Sequence, residues 1–229
     1  MKLIEFKRIN SLCLTVVIIV FTVFGCFGES GDMLQANASD NSITFIIDPG
    51  HGGMDGGASG LNGSLEKELN LIIGKNIYEI LNVLGYNVVM TRNEDVMLGN
   101  GEKGQAKMND LKYRLEMASG YSNGILVSIH MNKFPKENTK GMTLYYSPNN
   151  EKSIKIAEKI RDNNIKYLQS DNNREMKKAD SAIYLLNRIN IPAVLVECGF
   201  LSNDEESRLL MSEEHQKKIS LVIAMSIIE

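Results

Sequence analysis

Between residues 42 and 228 short apolar runs alternate with longer amphipathic ones, and that alternation leaves few folds open. Ile43, Phe45, Ile46 and Ile47 make residues 42–47 a buried strand that closes on the turn signal Asp48-Pro49-Gly50. Over residues 66–84, Leu69, Ile72, Ile73, Ile77, Ile80, Leu81 and Leu84 recur at helical spacing, and Gly85 stops the helix. YNVVMT (86–91) is a second strand, and the polar stretch 93–110, with Gly99, Gly101 and Gly104, a mobile loop. A helix is expected over 111–121 and strands at ILVSI (125–129) and MTLYY (142–146). Residues 151–168 form an amphipathic helix with Ile154, Ala157, Ile160 and Leu168 inward, and 182–186 a strand or helical turn. AVLV (193–196) is a fifth buried strand, and a helix over 213–228 closes the chain. The pattern predicts one α/β domain, a mostly parallel twisted sheet with helices on both faces.

Composition narrows the function. With 23% charged and 43% hydrophobic residues, the chain is not disordered. Its net charge of -3 argues against a basic nucleic-acid binder. The absence of tryptophan excludes sugar stacking on indole rings.

Residues 1–28 read as a targeting segment. Lys2, Lys7 and Arg8 precede an uncharged, mostly apolar run from Leu12 to Phe27, the pattern of a secretory signal peptide or short signal anchor. The run is short for a membrane span, which favours cleavage. Val23-Phe24-Gly25-Cys26 loosely resembles a lipobox, although Phe24 is large for that pattern. Residues 29–41 are a polar linker, and 42–229 the domain. That domain keeps one cysteine, Cys198, so it has no internal disulfide, as fits an exported protein of a bacterial envelope.

Reactive side chains fall where strands end. His51 follows the first strand closely, His130 directly follows ILVSI, and Glu197 directly follows AVLV. Parallel strands deliver their carboxyl ends to one rim, where ligands bind. Two histidines with carboxylates on a rim suggest zinc, which in hydrolytic sites takes three protein ligands and leaves room for water. Glu66 and Glu68 open the first helix, and Glu66 is the better third ligand because its helix emerges directly from the glycine-rich loop carrying His51. Spacing alone fits an ordinary role better, an acidic first turn complementing the helix dipole. His130 taken alone reads equally well as a buried strand-end histidine, and His51 as a loop residue. Glu197 is harder to dismiss, because a carboxylate after four apolar residues needs a partner or a metal. His215, in EEHQKK, reads as an exposed helix start without a role, and Cys198 as a buried structural thiol.

IIDPGHGGMDGGASG, EKELNL, SIHMN and PAVLVECGFLSN, in that order, resemble the motifs of the zinc-dependent N-acetylmuramoyl-L-alanine amidases of the type 3 family, over about residues 43–228. The resemblance implies His51, Glu66 and His130 as ligands of one Zn2+ and Glu197 as the catalytic carboxylate. TRNED (91–95) and Arg114 also fit family positions. Arg114 and Asn132 are candidates for holding glycan or stem peptide, and Asp48 for orienting a histidine ligand. A bare catalytic domain with the ECGFLSN wording is similar to sporulation members, which act on spore-cortex peptidoglycan in the muramic-δ-lactam pathway. That implies an exported enzyme working between the forespore membranes. An activating or placing envelope protein is a possible partner, and nucleic acid is not one.

Two other classes compete. A wall-binding or regulatory protein that keeps the zinc site without turnover would bind metal and release no L-alanine amino termini. A nucleotide-binding α/β protein would be stabilised by nucleotide and hold no zinc, and the glycine-rich segment GHGGMDGGASG (50–60) carries neither common phosphate-loop signature.

Overall fold

The computed structural model describes residues 42–61, 63–99 and 104–229. The targeting segment and linker expected over 1–41 lie outside the described residues. The domain is α/β, with six strands in one sheet. These are β1 (Thr44–Pro49), β2 (Asn87–Met90), β3 (Gly124–Asn132), β4 (Thr143–Tyr146), β5 (Lys177–Lys178) and β6 (Ala193–Phe200). The sheet order is β2-β1-β3-β6-β4-β5. β2, β1, β3 and β6 run parallel, and β4 pairs antiparallel with β6. The helices are α1 (Glu66–Val83), α2 (Ala106–Ser119), α3 (Lys152–Tyr167), α4 (Tyr184–Arg188), α5 (Asp204–Met211) and α6 (Glu213–Ile228).

Strand alternation divides the core. Phe45, Ile47, Val127, Ile129, Val194 and Val196 face a layer built by α1, α3 and α6. Ile46, Leu126, Ala193 and Leu195 face the opposite layer, with Ala118 of α2 and Leu185 and Leu186 of α4. Side chains two residues apart share a face. Asp48, Ser128, His130 and Glu197 therefore continue the second set toward the carboxyl ends of β1, β3 and β6.

In α1, Leu69, Ile73, Ile77 and Leu81 recur every fourth residue and are wholly buried. Ile72 and Leu84 are 41% and 51% exposed, Ile72 because it lies beside the face that covers the sheet and Leu84 because it caps the helix beyond its last turn. Gly85 ends the helix at φ 82, with Tyr86 N–H donating to Leu81 O and Gly85 N–H to Asn82 O. That is a Schellman closure, which favours glycine.

Several sequence expectations change. β1 continues through Asp48 and Pro49 rather than turning there. Pro49 lies beyond the last residue paired with β2, so its missing N–H costs no ladder bond. α2 begins five residues before the expected start. Of the two alternatives for residues 182–186, the structure takes the helical one, starting at Tyr184. AVLV is the core of the sixth strand in chain order, which runs on to Phe200. α5 was not anticipated, although its signal was visible, since Asn203 Oδ1 accepts from Glu206 N–H at 3.0 Å as a helix cap.

Candidate active site

β1, β3 and β6 are adjacent and parallel, so the three strand-end positions meet. His130 and Glu197 are register partners. His51 follows β1 in a loop pinned by two arginines and a lysine. Arg92 donates to the carbonyls of Pro49, Gly50 and Lys67 at 2.8–3.0 Å. Arg114 donates to Pro49 O at 2.8 Å and His51 O at 2.7 Å. Lys67 Nζ donates to Gly53 O at 2.8 Å and to Asp95, which accepts from Gly53 N–H. His51 itself has φ 63, and it is the one non-glycine residue with positive φ among the described residues. Strain of this kind persists where the surroundings over-determine the backbone, and it clusters at functional sites.

The loop delivers His51 to Glu66, which opens α1. Glu66 Oε1 lies 3.1 Å from His51 Nε2 and 2.9 Å from His130 Nδ1, and it accepts from Met131 N–H at 3.1 Å. Oε2 accepts from Ala58 N–H at 2.7 Å. One ligand-type atom from each of His51, Glu66 and His130 lies within 4.8 Å of the others. Glu68 is exposed and stands apart. Gly50 lies against the His130 imidazole so closely that a Cβ there would overlap the ring.

The donor set is two imidazoles and a carboxylate, the composition of a hydrolytic zinc site. Beside it, Glu197 is half-buried, and its Oε2 is fully covered without a hydrogen-bond partner. An unpaired buried carboxylate oxygen is costly and is found where function requires it. These residues fit a divalent metal. Burial pushes the Glu197 carboxyl up to about 7, with Glu66 adding to the rise and His130 and His51 opposing it. Burial opposes ionisation of Glu66 as well, but hydrogen bonds and charge from His130 and His51 hold its carboxyl far below the usual range. For His51, burial disfavours the charged ring, and Glu66 and Asp55 outweigh it and raise its pKa. A cleft of about 240 Å³ joins His51, His130 and Glu197 to apolar Leu111 and Ile183.

Arg114 and Asp48 are engaged with each other, and Arg114 with the loop. Arg114 lines the floor of the cleft. Its side chain is 2% exposed and its donors are committed to Asp48, Asp110 and main-chain carbonyls, so it braces the loop from below. Asp48 is hydrogen-bonded to neither His51 nor His130. Its carboxylate accepts from Thr91 Oγ1, Ser128 Oγ and Arg114, each at 2.6 Å. On the side of His51 away from Glu66, the bonded residue is Asp55, whose Oδ2 lies 2.8 Å from Nδ1. Only its place four residues after His51 in a glycine-rich loop hinted at this. Asn132 ends β3 at an irregularity opposite Phe200, half-buried. Cys198 is buried in the opposite layer, away from the cleft.

An open α/β sheet with metal-type donors and an unpaired carboxylate at its carboxyl rim is the layout of a hydrolase. Residues 45–229 match the N-acetylmuramoyl-L-alanine amidase family model. The chain belongs to that family. It is 34% identical to the germination-specific N-acetylmuramoyl-L-alanine amidase of Bacillus subtilis, over 80% of this chain and 78% of that protein. It is 27% identical to the N-acetylmuramoyl-L-alanine amidase AmiA of Escherichia coli, over 85% and 78%. The CwlD amidase from Clostridioides difficile, solved in complex with the GerS lipoprotein, superposes with TM-score 0.77 at 36% identity, covering 81% of this chain and 96% of that one.

Proposed function

We propose that this enzyme uses one zinc ion, held by His51, Glu66 and His130, to hydrolyse the amide joining the muramic acid lactyl group to L-alanine in peptidoglycan. The observation that carries the reading is the unpaired, covered Oε2 of Glu197 beside a convergent His–Glu–His set. Zinc at that set supplies Lewis-acid chemistry, making a water acidic near neutrality and polarising the amide carbonyl. Glu197 accepts the proton of the hydrolytic water, and its raised pKa suits it to hand that proton to the alanine nitrogen as the C–N bond breaks. Glu66, fixed by the main-chain N–H groups of Ala58 and Met131, holds both histidines to one point. Asn132 is the group proposed to hold glycan or stem peptide.

Similarity to the germination-specific amidase and to the CwlD amidase supports a role in spore-cortex maturation, on the route to muramic-δ-lactam. Such a role requires export between the forespore membranes, and residues 1–28 are the proposed leader of the 42–229 domain. The neighbour's complex with a lipoprotein supports an envelope protein as activating or placing partner. The test is digestion of purified muropeptides by the zinc-loaded and the chelated enzyme, with mass analysis. New L-alanine amino termini that disappear on chelation are expected. Zinc uptake without such products would favour a binding protein.

A further inference from the structure

Asp55 takes no part in the chemistry above, yet it grips the far side of His51. Its Oδ2 lies 2.8 Å from Nδ1, while Nε2 of the same ring faces Glu66 at 3.1 Å. Oδ1 accepts from Gly57 N–H at 3.3 Å. The main chains of Gly52 and Asp55 exchange hydrogen bonds of 3.0 and 3.1 Å, which folds the carboxylate back under the ring. Lys107 Nζ also lies 3.3 Å from Oδ2, but its side chain is 68% exposed, and an ion pair so open to water contributes little.

A neutral imidazole carries one proton, and the hydrogen bond made by one nitrogen decides which lone pair the other presents. With the proton on Nδ1 and directed at Asp55, Nε2 presents its lone pair to the cluster. His51 lies in a loop outside any helix or strand, so the aim of its ring depends on its contacts, Asp55 at Nδ1 and Glu66 at Nε2. We propose that Asp55 is the positioning residue of the cluster, fixing the tautomer and the angle at which His51 Nε2 meets the metal. The inference rests on the reading of His51, Glu66 and His130 as a zinc site.

The test uses wild type, Asp55→Asn and Asp55→Ala of the full chain. Zinc affinity is measured by competition with a chromophoric chelator, the visible bands of the cobalt-loaded protein report coordination geometry, and melting is followed without metal. Asparagine keeps an acceptor oxygen for the Nδ1 proton and alanine keeps none. Asp55→Ala is expected to raise the zinc Kd at least about tenfold and to shift the cobalt bands, with Asp55→Asn between it and wild type. The metal-free melting temperatures of all three should agree. Zinc affinity of Asp55→Ala within about twofold of wild type, with unchanged cobalt bands, overturns the proposal. So does equal weakening by both variants accompanied by equal loss of metal-free stability, which would make Asp55 a loop-folding residue. A wild-type chain that takes up no zinc instead removes the zinc reading, and this inference with it.

Discussion

His130 and Glu197 stand opposite each other in the β3–β6 ladder, register partners on neighbouring parallel strands. Both side chains leave the sheet on the face shared with Asp48 and Ser128. The distance between a ligand-type nitrogen and the proposed base is thus set by sheet hydrogen bonding, not by a loop. Loops contribute His51, and the start of α1 contributes Glu66.

Replacing Glu197 by glutamine should end hydrolysis and leave zinc in place. Glutamine has nearly the same shape and cannot accept the water proton, and loss of a general base costs at least about 10²-fold. Amino-terminus release and metal content, measured on one preparation, check this. Turnover within about threefold of wild type would remove Glu197 from the mechanism.

His51→Ala, Glu66→Ala and His130→Ala should each weaken zinc binding, since each removes one of the three proposed protein ligands. Glu68→Ala is the control, because Glu68 is exposed and outside the cluster. Zinc titration decides. If Glu68→Ala lost the metal while Glu66→Ala kept it, the ligand assignment would fail.

Gly50→Ala tests a contact rather than a ligand. The added methyl would occupy the place of the His130 ring, so the ring must turn or β1 must shift. Overpacking of this kind typically costs about 1–3 kcal/mol. Lower zinc affinity together with a lower melting temperature is expected, and an unchanged value for both would show that the site gives way freely.

Sequence carried the fold class and the strand-end histidines and glutamate, because hydrophobic period and position on a rim are local signals. It did not carry the roles of Arg114 and Asp48. Their ion pair joins residues 66 positions apart, and nothing in either neighbourhood announces it. Asp48 looked like a turn former because Pro49 follows it, and the strand carries on only because β2 ends early. Asp55 is only hinted at by its place four residues after His51, since a glycine-rich loop can aim a side chain in many directions. α5 is legible locally, because the Asn203-to-Glu206 spacing is a helix-start signature.

The Asp48–Arg114 pair makes a pH prediction. Burial would raise the Asp48 carboxyl, but the Arg114 charge and hydrogen bonds from Ser128, Thr91 and Arg114 outweigh it and hold it below the ordinary 3.8. The unfolded chain therefore binds this proton more tightly than the folded one, and stability rises with pH in that range. The contribution is complete above roughly pH 5 and is lost as pH falls through the lower folded value. Arg114→Met leaves the Asp48 carboxylate buried without its counter-charge, held only by Thr91 and Ser128, and should cost about 3–5 kcal/mol at neutral pH. Urea unfolding from acid to neutral pH checks both, and a wild-type curve flat through the acid range would contradict the linkage.

Cys198 lies one position beyond Glu197 and so faces the opposite layer, 1% exposed, with its thiol pushed well above the ordinary range by burial. No reagent reaches it while the centre of the sheet is closed. Its alkylation rate is accordingly a clock for the opening of β6, the strand that carries the proposed base. A metal or substrate that binds only the folded protein slows that clock in proportion to its occupancy. The chain thus holds a chemical reporter of ligand binding that needs no turnover.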